Sequence, residues 1–180
     1  LSATHGLAVG ANGVVTLDGG TILSSSLAVE PGGELSGSGE VVGDLTNGGL
    51  VSPGQLQSPG MLSVDGDYEE TGTSELVIEL GGTVAEAEYD VLEITGTATL
   101  DGTLVVEFID LGGGSGGFQP SLGATFTILT ADAGLGGTVF RSASLPPVGN
   151  GALHVVYESD RVLLRMDPFS ADFDSDGDVD

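Results

Sequence analysis

Residues 7–19, LAVGANGVVTLDG, and residues 27–39, LAVEPGGELSGSG, decide how this chain folds, because the second stretch repeats the first at a spacing of 20 residues. Leu7, Ala8 and Val9 match Leu27, Ala28 and Val29; Gly13 matches Gly33, Val15 matches Leu35 and Gly19 matches Gly39. Self-similarity at that period is the mark of a β-solenoid rung. Each turn makes short strands, cannot bury its inner face alone, and must stack on the next turn about 4.8 Å away. Two Gly-rich hairpins of similar sequence are the alternative that two copies leave open. A third rung is expected from Val41 through Leu45 to Leu50 and Val51, with Asn47-Gly48 as its corner.

The style changes at residues 48–68, GGLVSPGQLQSPGMLSVDGDY. Two Ser-Pro-Gly turns, Ser52-Pro53-Gly54 and Ser58-Pro59-Gly60, bracket a short loop, since Pro presets φ for a turn and Gly accepts the positive φ that follows. A strand is expected from Met61, and Asp65-Gly66 reads as a two-residue hairpin turn into Asp67–Glu70. Downstream lie ELVIEL (75–80), YDVLEITGTATLDGTLVVEF (89–108) and ATFTILTADAGLGGTV (124–139). In this order of turns and strands, residues 48 to about 140 resemble the passenger region of bacterial autotransporter adhesins. The resemblance is to the end of their right-handed parallel β-helix and the autochaperone cap behind it, and it implies a role in templating solenoid folding from the C-terminal end.

Further strands follow from period-2 alternation. Leu76, Ile78 and Leu80 share one face and Glu75, Val77 and Glu79 the other; Leu104, Val106 and Phe108 oppose Thr103, Val105 and Glu107. One face is therefore packed and the other wet. Residues 83–95 read as a loop and then a strand, because Tyr89–Ile94 alternates. The sharpest hairpin is HVVYESDRVLLRM, residues 154–166. With Ser159-Asp160 as a two-residue turn, Glu158 faces Arg161, Val156 faces Leu163 and His154 faces Arg165, leaving Val155, Tyr157, Val162 and Leu164 on the apolar side.

Charge narrows the partners. Asp and Glu total 27 against 3 arginines, there is no lysine, and the net charge is −24. Such a surface repels phosphate backbones and anionic lipid, so nucleic acid is not expected as a partner. No run of 18 apolar residues occurs, so no helical membrane insertion is expected either. The absence of cysteine excludes disulfides and thiolate metal sites. The first residues, LSATHGLAVG, lack the charged and apolar segments of a signal peptide, so a removed leader or a fragment is expected.

The final stretch, DFDSDGDVD, resembles the first nine positions of an EF-hand or dockerin-type calcium loop. The resemblance makes Asp172, Asp174, Asp176, Asp178 and Asp180 calcium ligands, with Gly177 at the sharp turn. Position 12 and a second loop are missing, so this half-site binds calcium only if completed further on. A solvated acidic tail is the plain alternative.

Little points to catalysis. Literal matches to GxGxxG (Gly112, Gly114, Gly117) and GxSxG (Gly113, Ser115, Gly117) lie in the linker-like GGGSGG and precede no helix. His5 and His154 stand far apart. Carboxylates such as Glu69, Glu70, Glu75 and Glu79 alternate with apolar residues, as on a wet sheet face. Between Leu1 and Val139 the one basic side chain is His5, whereas β-helix polysaccharide lyases draw on basic residues.

The expected architecture is thus all-β: a short right-handed parallel β-solenoid at residues 1–60, an antiparallel or sandwich-like β cap at 61–168, and an acidic tail at 169–180. The expected function is a non-catalytic extracellular or bacterial cell-surface structural protein, adhesin-like or fibre-forming, self-associating end to end and touching cell-surface or polysaccharide partners. A glycan-binding or glycan-cleaving β-helix is the alternative.

Overall fold

A computed structural model describes residues 6–112, 117–149 and 151–169. These fold entirely as β-structure. The strands are β1 (Leu7–Val9), β2 (Val14–Val29), β3 (Glu34–Asn47), β4 (Leu50–Pro53), β5 (Met61–Asp65), β6 (Tyr68–Glu70) and β7 (Glu75–Leu80). There follow β8 (Val91–Ile94), β9 (Ala98–Thr99), β10 (Thr103–Phe108), β11 (Thr125–Ala131), β12 (Ser142–Ser144), β13 (Ala152–Tyr157) and β14 (Arg161–Asp167). All belong to one mixed sheet.

The repeat seen in the sequence is a pairing register. Leu7, Ala8 and Val9 of β1 pair in parallel with Leu27, Ala28 and Val29 of β2. Val14 pairs with Glu34 and Val15 with Leu35 across β2 and β3. Both long strands bend at glycines, so one strand serves several columns of parallel pairs.

Three such columns account for most of the sheet. The first stacks the start of β2, the start of β3, β4, β7, β10 and β12. The second stacks the middle of β2 and β3, then β5, β8 and β11. The third stacks β1, the ends of β2 and β3, β6 and β9. Each column turns alternate side chains inward. Leu35, Val51, Leu76 and Leu104 come from the first, Val41, Val64 and Ile94 from the second, and Leu27, Leu45 and Tyr68 from the third, all in one buried cluster. Aliphatic rows of this kind need no thick aromatic core, which is why so few aromatics suffice.

Glycines sit where consecutive columns meet because the backbones nearly touch there. A Cβ on Gly66 would lie 2.5 Å from the Gly43 carbonyl, and one on Gly96 2.5 Å from the Gly66 oxygen. Only a residue without Cβ allows that stacking.

Parallel pairing continues well past residue 60, through β10–β12 and β8–β11. The antiparallel part is confined to β11–β14 and β14–β13. Parallel pairing therefore extends into the stretch 61–168 that was expected to be antiparallel or sandwich-like, because none of β5 to β12 pairs with the strand next to it in sequence. The same reason removes the hairpin expected at Asp65-Gly66. β5 pairs with β3 and β8, β6 with β3 and β9, and Gly66 is a corner between columns.

Candidate functional site

The outward face of the first column carries an acidic groove of about 480 Å³. Period 2 along β7 and β10 puts Glu75, Val77 and Glu79 outward beside Thr103, Val105 and Glu107. Glu34, Glu75, Glu79 and Glu107 all line the groove, which holds no basic side chain, and Gln55 and Leu56 of the Ser-Pro-Gly loop overhang it. That loop turns sharply: Gln55 and Ser58 exchange backbone hydrogen bonds, and Gln57 takes φ 59°.

Two carboxylates hold the loop from beneath. The Gln57 N–H donates to Glu79 Oε1 at 2.8 Å. The Gly60 N–H donates to Asp90 Oδ1 at 2.9 Å, and the Glu79 N–H to Asp90 Oδ2 at 2.8 Å. Burial pushes the Asp90 carboxyl up to about 8, against the pull of those two N–H donors. Burial also raises Glu79, with the charge of Glu107 adding to it. Glu79 was expected on a wet face; it is 3% exposed, because the loop folds over it.

A second polar row lies inside the third column. Asn47 and Glu70 occupy inward positions where the neighbouring turns place Val29 and Leu100, and both are buried. Tyr68 Oη donates to Glu70 Oε1 at 2.9 Å and accepts from Asn47 Nδ2 at 3.3 Å. Asn47 also donates to the Glu75 carbonyl and accepts from the Gly49 N–H, while the Asp101 N–H reaches Glu70 Oε2. Burial pushes Glu70 up to about 7. Glu70 too departs from the expected wet face. Its row is buried along its length, and its hydrogen bonds across neighbouring strands suit it to fixing the register of the third column.

Of the other residues singled out in the sequence, Glu69 and Glu75 are exposed and His154 is exposed opposite Arg165 on β14. Asp172, Asp174, Asp176, Asp178, Asp180, His5 and residues 113–116 lie outside the described residues. Among the described residues, no three histidine or acidic side chains converge as a metal-binding group. Nor does any helix among them suit a membrane span.

Asp90 escaped the sequence reading because a lone Asp ahead of a strand looks like any loop acid. A signal also missed is the Gly-Asp or Gly-Thr pair at the corners between the second and third columns: Gly43-Asp44, Gly66-Asp67 and Gly96-Thr97. Each acid accepts the N–H of its successor one turn on, Asp67 to Asp44 at 3.0 Å and Thr97 to Asp67 at 2.7 Å. Their spacing stretches as the loops lengthen, so a search at a fixed period of 20 passes over them. No protein-family model matches the chain, and no curated protein is similar to it.

Proposed function

We propose that this chain is a short parallel β-solenoid with an antiparallel plug, working as a non-catalytic structural segment of an extracellular or cell-surface protein, adhesin-like or fibre-forming. The observation that carries the reading is the asymmetry of its two ends. At one, the β11–β14–β13 hairpin lies over the core, with Val162, Leu164 and Met166 fully buried beneath it. At the other, among the described residues β2 pairs only with β1 and β3, and Leu7, Val15, Leu17 and Ile22 line an apolar hollow of about 400 Å³. Val14 and Leu23 are strongly exposed on that strand.

An unpaired strand edge beside apolar surface is a template for another strand. Stacked there, a further turn or a second copy continues the columns, and a head-to-tail contact that does not close propagates into a filament. Sedimentation velocity and electron microscopy over a concentration series test it. Concentration-dependent end-to-end oligomers that disappear in Val15→Asp support it. A monomer at every concentration, with the β2 edge amides protected from hydrogen exchange, overturns it.

The acidic groove favours one competing reading, a glycan-cleaving site built on Glu79 and Glu107. It ranks second because no aromatic ring or basic side chain lines that groove to hold a sugar. Release of reducing ends from a polysaccharide panel, lost in Glu107→Gln, would reverse the order.

A further inference from the structure

Glu79 holds the single buried side-chain oxygen without a hydrogen-bond partner among the described residues. Its Oε1 accepts the Gln57 N–H, but Oε2 is buried and bare. A buried acceptor in that state costs free energy until a water, an ion or a proton meets it. The neighbouring strand adds to the cost, because Glu107 stands beside Glu79 in the parallel register of β7 and β10. Like charges paired across strands destabilise a sheet. A cation between the two carboxylates removes both penalties at once, and the groove supplies no positive side chain of its own.

The donors on offer are all oxygen: carboxylates, with the hydroxyls of Ser36 and Ser52 further along the same groove. Hard oxygen donors select Ca²⁺ or Mg²⁺ over transition metals, and an irregular, partly hydrated donor set suits calcium, which does not demand octahedral geometry. We propose that the groove beneath residues 54–58 is a calcium site, with Glu79 Oε2 and the Glu107 carboxylate as its charged ligands and water completing the shell. With two carboxylates it belongs with weak extracellular modules, whose dissociation constants run to about 10⁻⁴–10⁻³ M. Bound there, the ion clamps the Ser-Pro-Gly loop onto the first column. This proposal uses none of the residues 172–180 and does not rest on the structural reading above.

The test is a calorimetric titration of CaCl₂ into the full chain at fixed ionic strength, with Asp174→Asn/Asp176→Asn in the background to silence the acidic run. Saturable binding of one calcium per chain is expected, weakened at least about tenfold by Glu107→Gln, which removes a ligand. Glu93→Gln, an exposed acid on β8, removes the same charge elsewhere and leaves the affinity unchanged. Circular dichroism checks that both variants fold. Equal binding by the Glu107 and Glu93 variants overturns the proposal, since it reports only diffuse attraction to an acidic surface. So does an absence of saturable binding.

Discussion

Glu70 stands where the adjacent turn has Leu100, and a carboxylate in an aliphatic row makes folding sensitive to pH. Burial pushes Glu70 up to about 7 and Asp90 up to about 8, from ordinary values near 4. Both groups hold a proton more tightly in the folded chain, so their stabilisation is complete below the ordinary carboxylate range and is lost as pH rises through about 7 and about 8. Thermal unfolding is therefore expected to occur at higher temperature near pH 5 than near pH 8. Glu70→Gln offers its amide oxygen to the Asp101 N–H and its NH₂ to the Tyr68 oxygen, without a charge to bury. It is expected to raise stability near pH 8 by about 1–3 kcal/mol and to flatten the profile around neutrality. A variant as pH-sensitive as the parent would remove Glu70 as the cause.

At the same scale, Gly66→Ala sets a Cβ against the Gly43 carbonyl and the Asp44 nitrogen, backbone that no rotamer change can move aside. A loss of about 1–3 kcal/mol is expected, as for other overpacked sites, measured by urea denaturation. A neutral result would mean that the corners are looser than their stacking implies.

Among elements, the β13–β14 hairpin was the most legible, since its pairing depends on one local turn. Val156 meets Leu163 and His154 meets Arg165 as the Ser159-Asp160 turn requires, and Glu158 pairs with Arg161 at 3.1 Å. The parallel pairing of β1 with β2 and of β2 with β3 was legible for a similar reason, a repeat at constant spacing. From β5 onward the partner lies a variable distance back, 23 residues for Val64 and Val41 but 30 for Ile94 and Val64. Alternation still marks those strands, but it says nothing about which strand lies next to which. The hairpin also closes the core: Leu164→Ala is expected to cost about 2–5 kcal/mol by chemical denaturation, because Val162 and Met166 beside it leave no slack to fill the void.

For the molecule as a whole, that hairpin is the contact with the shortest loop to close. Parallel pairs join residues up to 39 apart, as Thr103 and Ser142 are, whereas Tyr157 and Val162 meet across a tight turn. Loop-closure entropy therefore favours starting at the C-terminal end and adding turns toward Leu7. Stopped-flow chevrons are expected to show Leu164→Ala slowing folding by nearly its full loss of stability and Leu27→Ala mainly speeding unfolding. The reverse pattern would place the nucleus among the first turns. A net charge of −24 also opposes compaction, so added salt is expected to raise the unfolding midpoint.

The sequence by itself determined the β-class, the inward aliphatic faces, the pairing of residues 7–9 with 27–29 and the terminal hairpin, because each follows from near neighbours along the chain or from a fixed period. Only the tertiary structure decided that β5 to β10 go on pairing in parallel, that Glu70 lies in the core, and that Glu79 is sealed under a loop with one oxygen bare. Those outcomes depend on which backbone comes to rest against which. Alternation gives the same pattern for a carboxylate facing water and for one that a distant loop has covered.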